Sequence, residues 1–218
     1  DFYPSISEAL LKKAINFASE LTPIDDQKID TILQARQSFL FLNGTAWNKK
    51  ENNNLFDVTM GSYDGAEVCE LVGLYLLQEM KALFPHIDIG LYRDDGLGTY
   101  NNAPGPQVER TRKKIMKFFK DNGLKITMET NTKEVNFLDV TLNLNTGKHT
   151  PYRKPSNPPL YINRQSNHPP NIIKQMPKII SKHLSDVSSD EVEFRKAKDD
   201  HGNALKNSGF HEQITFER

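Results

Sequence analysis

Two carboxylates stand side by side at Asp94 and Asp95, where an alternating apolar run, Ile87, Ile89 and Leu91, gives way to a turn and apolar character resumes at Leu97. Period-two alternation on both sides of a short polar break predicts a β-hairpin with the aspartates at its tip. Adjacent carboxylates repel each other and are hard to desolvate, so they persist in solvent, beside cations, or around a divalent metal. Hard oxygens of this kind suit Mg²⁺ or Mn²⁺, which share their coordination sphere with water and substrate phosphates. Taken alone, the pair is weak evidence, since adjacent aspartates in a turn are usually just solvated.

The rest of the composition narrows the chemistry. The chain has 218 residues, enough for one full core or one domain with an appendage. Lysine plus arginine equals aspartate plus glutamate, 28 each, so net charge alone gives no nucleic-acid signal, and the distribution of charge matters more than the sum. A single cysteine, Cys69, excludes an internal disulfide framework and cysteine-rich zinc sites and fits a reducing, intracellular compartment; on a helix it reads as a small buried hydrophobe. The six histidines, His86, His149, His168, His183, His201 and His211, are scattered and read as surface residues rather than a metal constellation. No apolar run approaches the roughly 20 residues of a membrane span, so no membrane partner is expected. The opening Asp1-Phe2-Tyr3-Pro4 lacks an initiator methionine and reads as the middle of a motif, which points to a fragment.

The elements that position the aspartates follow in order. Ser5 with Glu8 reads as a capping box, followed at helical spacing by Leu10, Leu11, Ala14, Ile15, Ala18 and Leu21. Asp25 and Asp26 begin a second helix with Ile29, Ile32 and Leu33 on one face. Phe39–Leu42, Asn43-Gly44 and Thr45–Trp47 form a hairpin signal, because asparagine and glycine tolerate positive φ. An asparagine-rich loop over Asn48–Asn54 leads to a β-rich run, Leu55–Ser62, closing on Gly61. That glycine reads either as a close backbone approach to a ligand or as an ordinary loop glycine. A long amphipathic helix spans about Asp64–Phe84.

After the acidic hairpin, Pro104–Pro106 start a helix with Val108, Ile115, Met116, Phe118 and Phe119 on its apolar face and Arg110, Arg112, Lys113, Lys114, Lys117 and Lys120 around it. Those cations could track phosphates or simply form a solvated face. Gly123 stops that helix; Leu124–Met128 and Val135–Leu144 read as strands separated by a turn at Asn131. The proline-, asparagine- and serine-rich stretch 151–170 marks a surface connection, placing one domain over 1–150 and a helical segment over 171–218. In that segment Ile172, Ile173, Met176, Ile179, Ile180 and Leu184 have helical spacing, with Pro177 forcing a late start or a kink. Ser188 with Glu191 reads as a capping box for a last helix, which ends near Gly209.

Tyr92-Arg93-Asp94-Asp95 resembles the Y-x-D-D box of reverse transcriptases, and the flanking strings fit the same family. Asp1-Phe2-Tyr3-Pro4-Ser5-Ile6 resembles the end of its motif A, Met60-Gly61-Ser62 the core of motif B, and Gly123-Leu124-Lys125 the place of motif D. Asn136–Val140, Tyr152–Pro155 and Asn167–Pro170 are similar to Penelope-like and related non-LTR retroelements. The resemblance covers essentially the whole chain. It implies an α+β fold, a polymerase palm of one antiparallel sheet with helices on one face, followed by a small helical thumb-like segment.

The implied reaction is two-metal nucleotidyl transfer extending a DNA primer on an RNA template with deoxynucleoside triphosphates, and the implied cofactor is Mg²⁺ or Mn²⁺. Carried over by the resemblance, Asp94 and Asp95 are metal ligands and Tyr92 and Arg93 lie near the primer end. Asp1, Phe2, Tyr3, Gly61 and Ser62 line the nucleotide, with Tyr3 screening the sugar 2′ position or serving as a core aromatic. Lys125 is either a general acid for pyrophosphate or a surface lysine. The family's motif A aspartate would lie upstream of residue 1, with Asp1 itself the alternative ligand; the fingers, which bring basic residues to the triphosphate, would also lie N-terminal, so the chain alone is expected to be inactive. Tyr63-Asp64-Gly65-Ala66 departs from the family's continuation of motif B. That departure keeps open a rival reading, a retroelement-derived module that binds nucleic acid without catalysis.

Overall fold

A computed structural model describes residues 2–38, 40–47, 55–101 and 103–217 of the chain. The fold is mixed α+β, and its contacts divide it into two compact units, Asp1–Asn131 and Thr132–Arg218.

In the first unit a 3₁₀ turn over Tyr3–Ser5 precedes α1 (Glu8–Leu21), α2 (Asp26–Gln34), β1 (Leu40–Leu42), β2 (Thr45–Trp47), α3 (Gly65–Leu83), β3 (Asp88–Tyr92), β4 (Asp95–Thr99) and α4 (Gly105–Asp121). The cap of α1 is Ser7 rather than Ser5: its Oγ accepts from the Leu10 N–H at 3.2 Å. The shift has a packing cause, because Ile6 is extended and buried between the turn and the helix. Asp25 caps α2 by accepting from the Lys28 N–H at 2.8 Å. Asn43 and Gly44 both take positive φ, 50° and 77°, and close the β1–β2 hairpin as their sequence requires. At the end of α4, Gly123 at φ 78° donates its N–H to the Lys120 carbonyl, and Leu124 donates to Phe119, both at 2.9 Å.

The first core is helical at heart. Leu10, Leu11, Ala14 and Ile15 of α1 meet Val68, Cys69, Val72 and Leu76 of α3, and Ile115 and Phe119 of α4 close it. Ile87, Ile89 and Leu91 lay the acidic hairpin on the same core.

Two runs read as strands join no ladder. Leu55–Ser62 contributes only an isolated bridge, Gln37 to Phe56, and buries Val58. Leu124–Met128 alternates in burial, with Leu124 inside and Lys125 outside, but pairs with no strand among the described residues. Its apolar side chains are already covered by the helical core, so burial is achieved without strand pairing. The described strands therefore form three separate antiparallel sheets of two, two and three strands, in place of the single sheet expected.

The second unit contains β5 (Glu134–Phe137), β6 (Val140–Asn143), β7 (Lys148–Pro151), α5 (Pro170–Asp186) and α6 (Glu191–Asn207). The run expected as one strand, Val135–Leu144, folds back on itself at Leu138 and Asp139, with Leu138 at φ 52° and Phe137 paired to Val140. The units divide after Asn131 instead of within 151–170, because the meander is tied to α6. His149 N–H donates to Ser189 Oγ, the Ser189 N–H donates to the His149 carbonyl at 3.0 Å, and Lys148 pairs with Asp190 at 2.9 Å.

Pro177 neither delays nor ends α5; it lies buried inside the helix, where only the Ile173 carbonyl loses its usual donor. The inward face of α5 is Pro177, Ile180, Ser181, Leu184 and Ser185, while Ile172 and Ile179 are exposed. Asp190, not Ser188, caps α6, accepting from the Glu193 N–H at 3.0 Å. The Ser188 hydroxyl is already used, donating to the Leu184 carbonyl at 2.6 Å. Gly209 at φ 86° ends α6 as expected. Among the described residues no helix is long and apolar enough to cross a membrane.

Candidate active site

Strand β3 carries Ile89 and Leu91 inward and Asp88, Gly90 and Tyr92 outward. Strand β4 answers with glycines. Gly98 lies under Ile87 and Ile89, and a Cβ on Gly96 would meet Leu91 Cδ2 at 3.1 Å, so the inner side chains drape over a strand with nothing in their way. Tyr92 pairs directly with Asp95, which leaves Arg93 and Asp94 as a two-residue turn, with Arg93 at φ 50°. Asp94, Asp95, Tyr92 and Arg93 are all exposed, and the Arg93 guanidinium lies 5.7 Å from the Tyr92 ring centroid. Core packing does not account for Tyr92, which is 54% exposed.

The loop before α3 is built around two glycines with different needs. The Ser62 N–H donates to the Thr59 carbonyl at 3.1 Å across a turn whose third residue, Gly61, has φ 87°. Gly65 needs to be glycine for space. A Cβ there would stand 2.6 Å from Ser62 Oγ, 2.9 Å from the Thr59 carbonyl oxygen and 3.7 Å from Tyr3 Cε1. Tyr3 is 7% exposed and lies along this face of α3; one turn on from Gly65, the buried Cys69 thiol shares a hydrogen bond with it. Burial pushes that thiol up to about 11; the bond to Tyr3 opposes the rise, and the charge of Asp94 adds to it. The turn carrying Tyr3 and the loop carrying Ser62 thus meet at Gly65, at the start of α3.

Phe2 is partly buried against the same core. Lys125 is exposed and, among the described residues, makes no hydrogen bond or ion pair with Asp94 or Asp95. Asp1 lies outside the described residues.

Two participants escaped the sequence reading. Arg36, 8% exposed, places Nη2 2.6 Å from both carboxylate oxygens of Asp64, the residue before α3, and its carbonyl accepts from the Asp57 N–H at 2.8 Å. It ties the end of α2 to the loop that holds Ser62. No pattern marks it, since a cation just past a helix normally reads as solvated. Cys69 was legible as buried, but its bond to Tyr3 is a tertiary fact. Two histidines also depart from expectation: His149 and His201 are half-buried and hydrogen-bonded, to Ser189 Oγ at 3.0 Å and to the Tyr161 hydroxyl at 2.5 Å.

Among the described residues, no three His, Cys, Asp or Glu side chains gather as a metal cage. Asp94 and Asp95 stand instead as two exposed carboxylates on neighbouring residues, a pair of hard oxygen donors. No family model, curated protein or solved structure matches the chain.

Proposed function

We propose that this chain is the palm and thumb-like portion of a retroelement reverse transcriptase, carrying out two-metal nucleotidyl transfer that extends a DNA primer on an RNA template. The observation that carries the reading is the placement of Asp94 and Asp95, exposed together at the tip of a hairpin whose other face is anchored in the core. In this reading Asp94 and Asp95 hold Mg²⁺ or Mn²⁺. When bound, the metal supplies Lewis-acid stabilisation of the triphosphate and of the attacking primer hydroxyl. Tyr92 and Arg93, exposed beside the carboxylates, form the surface against which the primer end rests.

Tyr3 limits the space at the sugar 2′ position. The burial of Tyr3 beside Gly65 supports that role. Gly61 and Ser62 present loop backbone beside it. Lys125, exposed, is either the general acid for leaving pyrophosphate or a surface lysine.

The test is primer extension on a primed RNA template with Mg²⁺ or Mn²⁺, using a chain extended upstream to supply the motif A aspartate, against an Asp94→Asn, Asp95→Asn double variant. Deoxynucleotide incorporation that the double variant loses is the expected result. If nothing is incorporated while primer–template binding is the same in both proteins, the chain is a non-catalytic binding module and the polymerase reading fails.

A further inference from the structure

The chain is neutral overall, yet six of its 28 basic residues fall between Arg110 and Lys120, with no acidic residue among them. On a helix of 3.6 residues per turn, Lys120, Lys113, Lys117, Arg110 and Lys114 project within an arc of about 120° along α4. The same arc holds Asp121 and Pro106 and no apolar residue. It lies opposite Ile115 and Phe119, which are buried in the first core, and all five cations are exposed.

The local acids do not cancel this stripe. Glu109 is committed to the sixth cation, Arg112, on another side of the helix, with Nε and Nη2 donating to its two oxygens at 2.7 and 2.8 Å. That pair holds the Glu109 carboxyl below its usual range and leaves Lys113 only a 3.9 Å approach. Asp121 pairs with Lys117 at 3.0 Å. Arg110, Lys114 and Lys120 have no acidic group within ion-pair distance among the described residues.

We infer that this face of α4 is a docking surface for a nucleic-acid backbone, distinct from the Asp94–Asp95 tip. From Arg110 to Lys120 the stripe is about 15 Å long at 1.5 Å per residue, enough to meet several successive phosphates. An anionic membrane is the other polyanion of this kind. A helix that lies in a membrane surface must insert an apolar face beside its basic one, and the apolar face of α4 is already covered by the core. The inference does not rest on the polymerase reading, because binding through α4 requires no catalysis.

The test measures binding of the full chain to a fluorescently labelled 20-mer, duplex or single-stranded, by anisotropy across 50 to 200 mM salt, roughly the range over which phosphate contacts are most sensitive. The variant is Arg110→Gln, Lys114→Gln, Lys117→Gln. The control, Lys12→Gln, Lys81→Gln, Lys178→Gln, removes the same charge from scattered exposed positions. We expect the stripe variant to bind about tenfold or more weakly and its log–log salt slope to fall by about one for each lost phosphate contact, with the control close to wild type. Circular dichroism identical across all three proteins keeps the comparison one of binding. Equal weakening in variant and control would reduce the effect to net charge and overturn the inference. So would unchanged nucleic-acid binding with a selective loss of binding to phosphatidylserine vesicles.

Discussion

The two units treat buried polar groups in opposite ways. In Thr132–Arg218 the inward serines of α5 are fully employed. Ser181 Oγ donates to the Pro177 carbonyl at 2.9 Å and accepts from the Thr215 N–H at 3.1 Å; Ser185 Oγ donates to the Ser181 carbonyl at 2.7 Å and accepts from the Glu217 N–H at 2.9 Å. These pairs fasten the C-terminal stretch along α5 beside a core of Leu184, Phe194, Leu205 and Phe210. In Asp1–Asn131, by contrast, Ser62 Oγ and Arg36 Nε are buried with no hydrogen-bond partner among the described residues, and Asp94 and Asp95 stand in solvent. A satisfied polar network rigidifies a fold, whereas a buried donor without a protein partner costs its desolvation, and exposed carboxylates keep theirs in solvent. The second unit satisfies its buried hydroxyls internally, while the first keeps two adjacent carboxylates on its surface.

The contrast breaks most sharply at the hairpin tip. In the chain extended upstream, Asp94→Asn, Asp95→Asn is expected to lower metal-dependent incorporation on the order of 10³-fold while leaving the unfolding midpoint unchanged, because neither side chain contributes to the core. Primer extension and thermal melting on the same preparations check both halves. Next in size is the floor of the site. Gly65→Ala forces a methyl against the Thr59 carbonyl and Ser62 Oγ and should cost about 1–3 kcal/mol in denaturant unfolding. Gly73→Ala, in the interior of the same helix with open space around it, should stabilise by about 0.5–1 kcal/mol.

A matched serine pair sharpens the comparison further. Ser181→Ala strands the Thr215 N–H and should destabilise by about 1–3 kcal/mol. Ser62→Ala removes a hydroxyl with no hydrogen-bond partner among the described residues and should stay within about 0.5 kcal/mol of wild type in urea titrations.

The smallest effect is a pH slope in the second unit. His201, hydrogen-bonded to Tyr161, has its pKa lowered first by burial and then by Arg153 and His183, with Asp200 opposing. The unfolded chain therefore takes up a proton near 6.5 that the folded chain still refuses. This stabilisation is complete above that pH and is lost as pH falls through it toward the lower folded value. Unfolding midpoints measured from pH 8 to pH 5, a range of roughly the span over which histidine titrates, should show the decline, and His201→Gln should flatten it.

Legibility in the sequence followed the range of the interactions. Helices α1 to α6, the Asn43-Gly44 turn, the glycine stops at Gly123 and Gly209 and the acidic hairpin were all readable, because periodicity, positive-φ residues and helix stops act within a few residues. The caps slipped by two residues where a neighbour claimed the chain first: Ile6 needed burial, and the Ser188 hydroxyl was spent on α5. The turn at Leu138-Asp139 was invisible because leucine at φ 52° is held there by the pairing of Phe137 with Val140, not by its own preference.

By itself the sequence determined the mixed α+β class, the elements and the adjacency of Asp94 and Asp95, since these depend on local preference and chain connectivity. Only the tertiary structure decided that the strands stay in three sheets, that the units part after Asn131, and that Tyr3 meets Gly65 and Cys69. The burial of Arg36 against Asp64 belongs with these. Each is a long-range contact whose energy comes from burial and exclusion of water, and no local spacing encodes which distant surface a side chain will find.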